Sequence, residues 1–71
     1  MPLTREKFIE IGEALHGQFW KRPLARDLDN SSRTVERWAD GTDPIPAGVA
    51  ADLAGLCAKH AASLIALARE L

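Results

Sequence analysis

The chain is cut into helix-sized pieces by the residues that a helix interior tolerates least. Gly17, Asp29-Asn30, Asp40-Gly41 and the Pro44-Ile45-Pro46 triplet fall between segments whose apolar residues recur at steps of three and four. This spacing predicts a first helix from about Thr4 to Leu15, with Thr4 as N-cap, Glu6 near its positive end and Phe8, Ile11 and Leu15 on one stripe. His16 and Gly17 then close it, since glycine accepts the left-handed conformation that a helix C-terminus often needs. Pro23 does not interrupt the second helix, because the N–H groups of a first turn have no intrahelical partner. That helix runs from Trp20 or Lys21 to Leu28 and turns inward Leu24, Ala25 and Leu28. Asp29 or Asn30 takes positive φ at its end. Ser31 or Ser32 caps a third helix that reaches about Ala39 with Val35 and Trp38 inside. After a stiff connector pinned by Ile45, a fourth helix extends from Ala47 to about Glu70. The expected fold class is all-α, one domain over residues 1–71, with four helices of which the last is long.

Composition limits what such helices enclose. Nine Leu, four Ile, two Val, two Phe and two Trp can fill a single small core, and nine of the twelve alanines lie from Ala47 onward. Val49, Leu53, Leu56, His60, Leu64, Leu67 and Leu71 continue one stripe along the last helix, further than three short helices can cover. A twofold-related copy meeting the second half of that helix is therefore expected, giving a homodimer; fraying after about Ser63 is the alternative. The apolar runs are read as too short for a membrane span, and no signal peptide is evident, so a cytoplasmic location and no membrane partner are expected. Cys57 is the only cysteine, which excludes an intramolecular disulfide and a cysteine metal cluster, and it reads as a small buried hydrophobe. His16 and His60 lack the spacing of a metal pair. No nucleophile–base pair or phosphate-cradling glycine loop is present, so the expectation is a protein without cofactor or metal that is not an enzyme.

Charge is the remaining signal. The net charge is −1, yet residues 21–37 hold Lys21, Arg22, Arg26, Arg33 and Arg37 against only Asp27, Asp29 and Glu36. Two short helices joined by a tight turn from about Trp20 to Ala39, the second with exposed arginines, have the form of a DNA-reading helix-turn-helix. On the second of them Arg33, Glu36, Arg37 and Asp40 share the outer face. Arginine can pair bidentately with guanine and Glu36 can accept from cytosine, whereas a solvated face would have Glu36 and Asp40 neutralise the two arginines.

The run Leu24-Ala25-Arg26-Asp27-Leu28, then Ser31, Arg33-Thr34-Val35 and Arg37-Trp38, followed by Gly41 and Pro44-Ile45-Pro46, resembles small Cro/lambda-repressor-like helix-turn-helix regulators of bacteria and phages. Gly12-Glu13-Ala14-Leu15-His16-Gly17 and Trp20 fit the same pattern. The resemblance implies a lambda-repressor-like fold, sequence-specific binding of double-stranded DNA, transcription regulation and a homodimer. It would put Lys21, with Arg22 beside it, on phosphate, and Ser32, Arg33, Glu36 and Arg37 toward the major groove, with Thr34 in the same helix. Asp29 stands where the family usually has glycine, Asn30 where it has an apolar residue, and Glu36 where relatives carry a basic or neutral one. Those residues and the net negative charge keep a second class open: the same scaffold used for protein–protein contact, as in an antitoxin, an adaptor or a phage-encoded inhibitor.

Overall fold

The structure, a computed structural model, describes residues 3–71. Four helices make up the chain, α1 Arg5–His16, α2 Lys21–Asp27, α3 Ser32–Asp40 and α4 Gly48–Ala68, with no strand among the described residues. Each boundary lies within about two residues of where capping chemistry and breakers put it. Thr4 accepts a hydrogen bond from the Lys7 N–H and Ser31 accepts one from the Thr34 N–H, each 3.1 Å. These side chains satisfy donors that the first turn leaves over. Pro23 is the third residue of α2, a position that needs no N–H.

The two helix ends flanking α3 close in the same way. After α2, Asp29 has φ 55°, and the Asn30 N–H donates to Ala25 O (2.9 Å) while the Asp29 N–H donates to Arg26 O (3.1 Å). After α3, Gly41 has φ 80°, with the Thr42 N–H on Arg37 O (3.0 Å) and the Gly41 N–H on Trp38 O (3.3 Å). This paired 6→1 and 5→2 pattern caps the last carbonyls and requires a left-handed residue. Glycine adopts it freely; Asp29 holds it without that freedom.

Phe8, Trp20, Leu24, Ala25, Val35, Trp38, Ala39, Val49 and Leu53 form the core. Phe8 meets Trp20 and Trp38 edge-on, with centroids 5.5 and 5.9 Å apart and both interplanar angles 79°. Edge-to-face pairs set the positively polarised ring edge against a negative face, so the three aromatics lock α1, α2 and α3 together. Gly12 is buried because Trp20 lies over it; a Cβ at Gly12 would come within 2.2 Å of the indole. Arg5 at the start of α1 donates from Nε to Ala39 O, joining α1 to the end of α3. His16, expected to cap α1, instead lies 2.7 Å from the Asp27 carboxylate through Nε2 and ties the end of α1 to the end of α2. The α1 cap is made by the Gly17 N–H on Glu13 O.

α4 packs on α1 through Val49 and Leu53, with Leu56 half-buried, and then leaves the body. The helix continues past Ser63 and runs to Ala68. Two expectations are corrected here. Cys57 is exposed rather than buried, because no element covers that part of α4. By length and composition α4 is also long and apolar enough to cross a membrane, which the reading of the apolar runs had denied. Eight alanines raise its hydropathy without adding large side chains.

Candidate nucleic-acid interface

α3 is held by its inner face. Val35, Trp38 and Ala39 are buried, so the helix cannot rotate about its axis without exposing an indole. The remaining positions are thereby fixed outward: Arg33, Glu36, Arg37 and Asp40 are exposed. Ser32 and Thr34 are half-buried in the first turn, and the Thr34 hydroxyl is 2.9 Å from the Ser31 hydroxyl, so Thr34 belongs to the cap.

The arginines do not neutralise locally in the way a solvated face would arrange. Among the described residues neither Glu36 nor Asp40 forms an ion pair with Arg33 or Arg37. Arg37 reaches out of the helix to Asp43 in the connector, at 3.7 Å and with both side chains about half exposed. A pair that open contributes little and is readily exchanged for another anion. Arg33 has no ionic partner among the described residues.

α2 packs directly on α3 and supplies the second part of the surface. Lys21 and Arg22 occupy its first turn. Lys21 Nζ stands 6.0 Å from the centroid of the Trp20 ring, where the ring quadrupole favours a cation, and Arg22 is exposed. The two helices thus bring the seven predicted residues onto one rigid α2–turn–α3 unit, in which Arg22, Arg33, Glu36 and Arg37 are exposed and Lys21, Ser32 and Thr34 half-buried. Phe19 had not been singled out. It is 82% exposed and, with Gln18, Trp20, Lys21 and Arg22, borders a shallow hollow of about 250 Å³ at the start of α2. Its signal is the Phe19-Trp20 pair, since adjacent aromatics entering a helix cannot both face the core. No protein-family model, curated protein or solved structure matches the chain.

Proposed function

We propose that the chain is a helix-turn-helix regulator of the lambda-repressor-like class that binds double-stranded DNA, with α3 entering the major groove and α2 resting on the backbone. The observation that carries this reading is Arg33. It stands exposed and, among the described residues, without an ionic partner in the first turn of a helix whose opposite side is fixed in the core. A rigid element presenting an uncommitted guanidinium suits bidentate recognition of guanine. Lys21 and Arg22 suit phosphate, which carries no sequence information and positions the reading helix. Such a protein works by occupying a site on DNA, as a cytoplasmic homodimer on a two-fold-related sequence.

Glu36 favours a second reading. It puts a carboxylate, unpaired among the described residues, between two arginines on the same face, a mixed pattern that also suits a protein partner. Fluorescence anisotropy of a random-sequence duplex across a salt series tests the choice. DNA binding predicts saturable association at low salt that weakens as salt rises, because counterions are released. Absence of association at the lowest salt would favour the protein partner.

A further inference from the structure

Three of the four aromatic residues, Phe8, Trp20 and Trp38, build the core, while Phe19 is 82% exposed. The fold imposes this arrangement locally. Gly17, at φ 78°, ends α1, and Trp20 at the start of α2 lays its indole over Gly12. With Trp20 committed inward, Phe19 in the intervening turn is left outside. A ring so exposed gains almost nothing from burial, so it does little for the stability of the domain. An isolated exposed apolar side chain is ordinary on a protein surface. The setting of this one is not.

Phe19 opens on the hollow of about 250 Å³ that Gln18, Lys21 and Arg22 also border, with no carboxylate on its rim among the described residues. Among those residues neither Lys21 nor Arg22 has an ionic partner. Trp20, buried and clamped edge-on by Phe8 at 5.5 Å, also borders the hollow and fixes its position. The site therefore joins an apolar ring to two uncommitted cations on a rigid support. It suits a ligand in which anionic and apolar groups alternate at close range. The backbone of duplex DNA has that character, because each phosphate is followed by a deoxyribose that presents C–H groups.

We propose that Phe19 packs against a deoxyribose of the strand whose phosphates Lys21 and Arg22 engage. Bases of an intact duplex stay stacked and offer only their edges in the grooves, so the ring meets sugar and not a base face. This deepens the DNA reading and rests on it: α3 reads bases, while the entry to α2 grips the backbone by charge and by apolar contact together. The two parts of that grip have different signatures. A cation on phosphate releases counterions, so its loss lowers both affinity and salt dependence. A ring on sugar releases none, so its loss lowers affinity for every duplex and leaves the salt slope alone.

The test is anisotropy of a labelled random-sequence duplex, and of a labelled single strand of the same length, across a salt series. It compares the full chain with Phe19→Ala and Phe19→Leu, and circular dichroism gives the melting temperature of each. Phe19→Ala should bind the duplex about fivefold more weakly at every salt concentration, along a line parallel to that of the unaltered chain. Phe19→Leu should recover part of the loss, and all three should melt together because the ring is exposed. Equal duplex affinity for Phe19→Ala overturns the proposal, as does a changed salt slope. So does a loss confined to the single strand, which would make Phe19 a platform for unpaired bases. A fall in melting temperature that accompanies the weaker binding would make its role structural and also overturns it. If the unaltered chain fails to bind duplex at the lowest salt, the DNA reading and this contact fall together; if only Phe19→Ala departs from expectation, this contact falls alone.

Discussion

Single positions carry unequal weight in this chain, and Gly12, Asp29 and Glu36 illustrate three different reasons. At Gly12 a methyl group would overlap the Trp20 indole, which is itself clamped by Phe8. Gly12→Ala should cost about 1–3 kcal/mol through overpacking and lower the melting temperature by several degrees in calorimetry. Asp29 presents the opposite case: its left-handed backbone would suit glycine, and its side chain is exposed. Asp29→Gly should raise stability in urea titration by less than about 1 kcal/mol, because relief of strain is partly offset by the greater freedom of glycine when unfolded. Glu36 bears on recognition rather than stability. If its carboxylate accepts from a cytosine amine, Glu36→Gln lowers affinity for the preferred sequence alone. If it only repels phosphate, the same change raises affinity for every duplex, and competition assays with preferred and scrambled DNA separate the two.

Among elements, α2 and α3 are assigned different tasks, and substitutions should divide accordingly. Arg33→Ala on α3 should cost about 1–3 kcal/mol on the preferred site and relax selectivity at one base pair. Lys21→Ala on α2 should weaken all sequences alike and reduce the salt slope by about one ion per monomer. Anisotropy titrations at several salt concentrations check both. The helices themselves were largely legible because their ends are chemical. Thr4 and Ser31 cap by local hydrogen bonds, and Gly41 and Asp29 turn the chain by backbone preference, so the information lies within a few residues. The core aromatics were legible too, since Trp20 and Trp38 are large and few. Arg5 on Ala39 O and His16 on Asp27 were not, because each joins residues brought together only by packing. For the interface, exposure of Arg33, Glu36 and Arg37 followed from the helical period. The diversion of Arg37 to Asp43 depended on the path of the connector. Cys57 was misread because an apolar stripe implies burial only where some element arrives to cover it.

At the scale of the whole molecule, the core is small and the second half of α4 is uncovered, so the proposed homodimer has a thermal signature. If the α4 face is buried between copies, the melting temperature should rise with protein concentration, whereas Leu64→Glu should melt at one temperature throughout. Differential scanning at several concentrations reads this. Two copies related by a two-fold would also present two α3 helices, so a preferred DNA site should repeat as two related halves. The central claim is that the α2–α3 surface reads duplex DNA. It is tested most directly by mixing the full chain with a random duplex pool at low salt, recovering what is retained and sequencing it over successive rounds. The account predicts a short enriched sequence with two-fold-related halves, lost in Arg33→Ala. A pool that stays random through every round would contradict it.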